Sequence, residues 1–260
     1  MRLRIASSMT YTYADVVKQA HVQVRLAPAA TGRQHVLVHP LLVEPTGWQV
    51  WYEDYWGTRV VELDVSEPHD SFSVALLSDV NIRPIERPHA LDFSAISGET
   101  VSDSFSEFLS LNEITAPDTG QREAAATARA TARDPRELVA ALTSSIAQKA
   151  VGEVPVDAFS HAVIGSLRSV GVPARFVSGY RAPVGSIEAG ITEDAEIASW
   201  IEYWDGVWHA WDCQEQSDVG ERHVVIGWGR DRSDCPPLGG VYRHGGEAEC
   251  ETDTTMSWLG

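Results

Sequence analysis

No cysteine occurs before Cys213 in this chain of 260 residues, and the other two are Cys235 and Cys250. So small and odd a number excludes a disulfide framework, although one Cys213–Cys250 or Cys235–Cys250 pair stays open. No C-x-x-C pair is present, so no zinc or other metal site is expected, and nothing calls for a cofactor. Lysine is almost absent, with Lys18 and Lys149 alone, and acidic residues outnumber basic ones 37 to 20, giving a net charge of −17. A surface so acidic cannot neutralise a phosphate backbone, which argues against nucleic acid, favours solubility, and leaves a cationic partner or substrate open. No apolar run is long enough to span a bilayer, and the opening Met1-to-Tyr13 segment alternates polar and apolar residues without a signal-peptide core. No membrane association is expected, and the cytoplasm is the default location.

What is present is enough apolar residue (43%) and tryptophan (nine) to bury a substantial core. Up to about Pro84, period-2 runs such as Val36-Leu37-Val38, Leu41-Leu42-Val43, Gln49-Val50-Trp51-Tyr52 and Phe72-Ser73-Val74-Ala75-Leu76 are broken by Pro45, Gly47, Gly57 and Pro68. This pattern predicts an antiparallel, sandwich-like β domain over residues 1–84. Periodicity then lapses and Pro, Ser and Gly accumulate, which reads as a linker over 85–102, with a second domain over 103–260.

In that second domain the alanine-rich Gln121-to-Arg133 stretch predicts a helix. Asp134-Pro135 supplies a cap and first-turn proline for another, carrying Leu138, Leu142 and Ile146. A third helix, Val156 to Val170, puts Phe159, Val163, Ile164 and Leu167 on one face and stops at Gly171-Val172-Pro173. Strands follow at Ala174–Tyr180, Glu196–Trp204, Gly206–Asp212 and His223–Gly229, with Asp205-Gly206 as a hairpin turn. Helices followed by an antiparallel sheet make an α+β fold.

Two long motifs stand out: VPVDAFSHAVIGSLRSVGVPARFVSGY from Val154 to Tyr180, and GRDRSDCPPLGGVY from Gly229 to Tyr242. Both resemble the bacterial transglutaminase-like family, whose nucleophile helix reads G-x-C-Q-D-F-A-H and continues to G-I-P-A-R-Y-V-S-G-Y. Thr10-Tyr11-Thr12-Tyr13, Arg25-Leu26-Ala27-Pro28 and Trp56-Gly57-Thr58-Arg59-Val60 are similar to the β region upstream of such cores. The resemblance implies a papain-like α+β core and a Cys, His, Asp triad in that sequence order. Aligning Phe159 and His161 with F-A-H puts Val156 at the nucleophile. Aligning Trp200-Ile201-Glu202 with W-V-E puts Ala198 at the general base, and Asp212 alone matches the orienting carboxylate.

His209-Ala210-Trp211 also spells the family's H-A-W, yet the odd spacing from His209 to Asp212 places those two on opposite faces of a strand. Cys213 is expected to face away from Asp212 as a small apolar filler. Arg175 and Tyr180 are expected to hold the sheet to the helix. The hairpin tryptophans Trp200, Trp204, Trp208 and Trp211 fit either packing or an aromatic ligand cage.

The degenerate cleft would then be lined by Asp157, Ser160, His161, Ser199, Trp200, Glu202 and Asp212. The expectation is a pseudoenzyme that binds or scaffolds a peptide, small molecule or protein partner there. The alternative is a repurposed, cysteine-independent enzyme, for instance in specialised-metabolite biosynthesis, using Asp157, His161, Glu202 and Asp212 as acid and base.

Overall fold

The computed structural model describes residues 1–84, 91–149, 155–183 and 190–259. In chain order come β1 (Arg2–Val24), β2 (Gln34–Val38), β3 (Leu42–Glu44), β4 (Trp48–Glu53), β5 (Arg59–Val65) and β6 (His69–Ile82). A 3₁₀ turn (Phe93–Ile96) leads to α1 (Glu99–Ser104), α2 (Ser106–Leu109), α3 (Thr119–Thr131), α4 (Pro135–Lys149) and α5 (Val156–Ser169). Then follow β7 (Ala174–Arg181), β8 (Thr192–Asp194), β9 (Glu196–Trp204), β10 (Trp208–Asp212), β11 (Ser217–Asp218), β12 (His223–Gly229), β13 (Leu238–His244) and β14 (Ala248–Trp258).

The helices start and stop where local chemistry dictates. Asp118 and Gln121 form a reciprocal capping box on α3, and the Glu137 amide donates to Asp134 Oδ1 at 2.9 Å to open α4. α5 ends at Gly171, whose φ of 80° lets the Val172 amide turn back to the Leu167 carbonyl at 3.0 Å.

β1 is long enough to serve two layers. Its first half pairs with β6 and β14, and its second half pairs with β5 and β13. The register shifts around Thr12–Val17 and Val17–Gln19, where the strand passes from one set of partners to the other. Between the layers lie Met9, Tyr13, Val17, Val22, Val24, Leu63, Val65, Phe72 and Val74, the inward members of the alternation.

The second sheet has the order β11-β10-β9-β7-β12. Val163, Ile164 and Leu167 of α5 pack on Phe176, Ile201, Tyr203 and Trp211 of one face. Trp200, Val177 and Val225 on the other face close over Ala29 and Val219. The whole is an α+β fold with an N-terminal antiparallel sheet, as the periodicity implied.

Strand pairing crosses the expected boundary between the two units. β8, β13 and β14 all join the first sheet, so the last strands of the supposed 103–260 unit complete the unit that begins at Arg2. The cause is β1, whose long edges need partners; β14 fills one with Thr254, Met256 and Trp258 turned inward. Of the expected 85–102 linker, residues 85–90 lie outside the described residues, while the remainder enters the 3₁₀ turn and α1. Arg175 and Tyr180 also depart from expectation. Arg175 pairs with Glu202 across the sheet at 2.7 Å, and the Tyr180 hydroxyl donates to the Leu26 carbonyl of the first unit at 2.7 Å. The helix is tied down instead by buried Arg168, which donates to the carbonyls of Ala174, Ser110 and Arg230.

Candidate functional site

Val156 is the first residue of α5, and a half-buried isopropyl group stands where the resemblance puts a thiol. One turn on, Ser160 faces Ser199 of β9, their hydroxyl oxygens 3.4 Å apart, and both are buried. Cys213 belongs to the same helix-facing core as Val163 and Ile164. Burial, followed by the charge of Asp212, pushes its thiol well above the ordinary cysteine range. Cys235 is likewise buried and raised, and Cys250 is exposed on β14 of the first sheet. All three cysteines are free, so neither pairing left open by the sequence forms.

The expected cleft residues fall into separate groups. Asp157 ion-pairs with Arg232, whose backbone amide donates to His161 Nε2 at 3.1 Å. The accepting Nε2 leaves the proton on Nδ1, and the ring stacks on Phe176 with centroids 5.1 Å apart. Trp200, Glu202 and Asp212 lie on the other side of β9 and β10. Ile201 pairs with Trp211 on the helix side, so backbone alternation turns Ala198, Trp200 and Asp212 away from α5. Ala198 pairs with Gly179 there and is buried. Residues 150–154, immediately before α5, lie outside the described residues.

Asp212 is the centre of the strongest polar network, and two of its partners carry no sequence signal. Arg181 Nη1 donates to Asp212 Oδ2 at 2.8 Å, and His223 Nε2 donates to the same oxygen at 3.0 Å. The Glu215 amide donates to Oδ1 at 3.0 Å. The Gly220 amide donates to His223 Nδ1 at 3.2 Å, which fixes the neutral tautomer with its proton on Nε2. Both ring nitrogens of His223 are therefore committed. Burial of Asp212 opposes its ionisation, but the hydrogen bonds from His223 and Arg181 prevail and hold its carboxyl below the usual range. Arg181 also donates to Glu196 and Gln214, and Arg222 ion-pairs with Glu215.

Asp212, Glu215 and His223 are the one trio among the described residues whose donor atoms could reach a common metal ion. Two guanidinium groups already neutralise those carboxylates, so the trio is an ion-pair network and not an open ligand set. His209 Nε2 donates to Asp205 Oδ1 across 2.8 Å and the ring stacks on Tyr203, facing away from Asp212 as the strand spacing requires. The hairpin tryptophans divide. Trp200 and Trp211 are buried, while Trp204 and Trp208 pack with Phe105, their ring centroids 4.6 and 5.5 Å from it.

The two buried histidines give the fold a pH dependence of defined sign. Burial lowers both His161 and His223 below the ordinary value near 6.5. The unfolded chain therefore binds protons that the folded chain refuses, and stability is lost as pH falls below about 6.5 toward the folded values. Urea midpoints should fall between pH 7.5 and 5.5, the unfolding free energy dropping by up to about 1.4 kcal/mol per pH unit for each histidine. A midpoint that rises over this interval would contradict the burial-driven shift.

Comparison with known proteins places these elements in context. The bacterial transglutaminase-like N-terminal region matches residues 3–81, and the transglutaminase-like superfamily core matches residues 143–213. An uncharacterised protein of Mycobacterium leprae is 29% identical over 279 residues, covering 99% of both chains. One of Mycobacterium tuberculosis is 28% identical over 275 residues, covering 92% of this chain and 87% of that one. A crystal structure from Cytophaga hutchinsonii, described as a candidate cysteine protease, superposes with a TM-score of 0.75 at 19% identity. It covers 100% of this chain and 91% of that one, a likeness of fold.

Proposed function

We propose that this bacterial transglutaminase-like superfamily protein is a non-catalytic binding or scaffolding protein built on that fold, a reading supported by Val156 at the start of α5, where the resemblance puts the nucleophile. The observation that carries this reading is the state of Asp212. In a working triad the carboxylate orients a histidine whose other nitrogen is free to take a proton. Here Asp212 is shared between Arg181 and His223, and the second nitrogen of His223 accepts the Gly220 amide. Both nitrogens of His223 are thus engaged, and the buried thiol of Cys213 is held protonated by its surroundings. The repurposed-enzyme reading draws no support from the geometry, since Asp157 and His161 are both engaged by Arg232, Glu202 by Arg175 and Asp212 by Arg181. The ligand class remains a peptide, a small molecule or a protein partner, without nucleic acid. Among the described residues no helix is long and apolar enough to cross a membrane.

The test is enzymatic. Incubation with a glutaminyl peptide plus a primary amine, and with an activated ester, should give no turnover above the uncatalysed rate. Turnover abolished by iodoacetamide would overturn the proposal. The same reagent supplies a second measurement. Under native conditions it should modify Cys250 alone, with Cys213 and Cys235 reacting after denaturation, because their buried thiols resist ionisation.

A further inference from the structure

The first sheet presents an edge that the cleft does not explain. Among the described residues, β4 pairs only with β5, so its other side offers a row of backbone amides and carbonyls without strand partners. Natural edge strands are usually guarded by charge, proline or a bulge. β4 reads Trp-Gln-Val-Trp-Tyr-Glu, with Trp48 63% exposed and Val50 and Trp51 each 39% exposed. Register with β5 sets Trp48 opposite Asp64 and Val50 opposite Glu62, so indole, isopropyl and carboxylates share one open face. Two adjoining depressions flank the turn into β4, one of about 640 Å³ and one of about 440 Å³. They share Thr46 and Glu67, and their walls bring Glu44, Asp64 and Glu67 beside Trp48 and Leu42, with no lysine, arginine or histidine. None of these three carboxylates is in a salt bridge among the described residues, and Asp64 receives one hydroxyl, from Ser66 at 3.4 Å.

We propose that β4 is a docking edge for an extended polypeptide segment of another protein in which basic residues alternate with apolar ones. The segment adds as a strand beside β4. Its main chain takes up the open amides and carbonyls; on one face its cations meet the indole of Trp48 and Asp64, with Glu44 and Glu67 at the turn, and on the other face its apolar side chains lie on Trp51. Charge selects this occupant. A second copy of the chain would bring the same carboxylates and another −17 to the interface, whereas a basic segment is complementary. The surface stands apart from the cleft, so it does not depend on whether the protein is catalytic.

The experiment uses the full chain and two dye-labelled peptides of about ten residues, enough to overhang the six of β4: one alternates arginine with valine, the other glutamate with valine. Fluorescence anisotropy should show the arginine peptide binding more weakly as salt rises, and the glutamate peptide not binding. Trp48→Ala should weaken binding about tenfold, as should the combined Glu44→Gln, Asp64→Asn and Glu67→Gln variant. Both variants alter exposed or rim positions, and circular dichroism confirms their folding. Hydrogen exchange on the complex should slow alternate amides of β4, a signature that loose electrostatic attraction would not give. The proposal is overturned by failure of the arginine peptide to bind, by equal binding of the glutamate peptide, or by binding that leaves β4 exchange unchanged. It is equally overturned if sedimentation shows a dimer of the free chain that Trp48→Ala disperses, since a second copy would then be the occupant.

Discussion

Replacing Asp212 with alanine should lower the unfolding free energy by about 3–5 kcal/mol, the range for removing one member of a buried, hydrogen-bonded ion pair. The side chain is fully buried and accepts from a guanidinium, an imidazole and a backbone amide. Its removal leaves the buried Arg181 charge with exposed Glu196 as its remaining ion-pair partner among the described residues and Gln214 as a neutral acceptor. His223 loses the acceptor for its Nε2 proton at the same time. Asp212→Asn keeps an acceptor but drops the charge, and should fall between wild type and alanine. Urea titration at pH 7.5 reads the effect directly. A loss below about 1 kcal/mol would mean that the network is surface-like in energy and that Asp212 is retained for another reason. The experiment also separates two roles for the same atom: as a scaffold element Asp212 governs stability, and as a triad member it would govern rate.

The second large effect is expected at Trp200, one of the largest fully buried side chains of the protein. Trp200→Ala should cost about 3–5 kcal/mol, the transfer free energy of the indole plus the cavity it leaves. The ring lies directly over Gly179, where an added Cβ would come within 2.1 Å of Trp200 Cη2 and 2.4 Å of the Val224 carbonyl oxygen. Its edge meets His223, ring centroids 5.3 Å apart. Gly179→Ala alone should therefore destabilise by crowding, and in the Trp200→Ala background the same change should be less costly. A double-mutant cycle gives the coupling, and strict additivity would show that the ring does not press on the glycine.

Much of this site was legible in the chain. The α5 boundary at Val156, the strands β7, β9 and β12, and the hairpin that fixes Asp212 follow from period, turn residues and a long motif. Arg181 and His223 were not, because positions 181, 212 and 223 share no local spacing. They meet only because β7 sits between β9 and β12 in the sheet, an order that strand patterns do not encode. The expected cleft was harder still. Ser199 and Trp200 are neighbours in sequence, yet a strand turns them to opposite sides, one toward Ser160 and the other toward His223. The return of β13 and β14 to the first sheet was hidden in short, polar alternations that read equally well as part of the second unit.

Because the first half of β1 pairs with β14, Leu3 lies opposite Trp258 and Tyr13 opposite Ala248. A ribosome delivers these partners far apart in time, because they are far apart in sequence. The emerging N-terminal strands must wait, with an apolar face and an open edge exposed, until nearly the whole chain has been made. Such long-range pairing slows folding and lengthens exposure to aggregation and to chaperones. An expression fragment cut at residue 84 would lack β14 and inherit that exposure permanently.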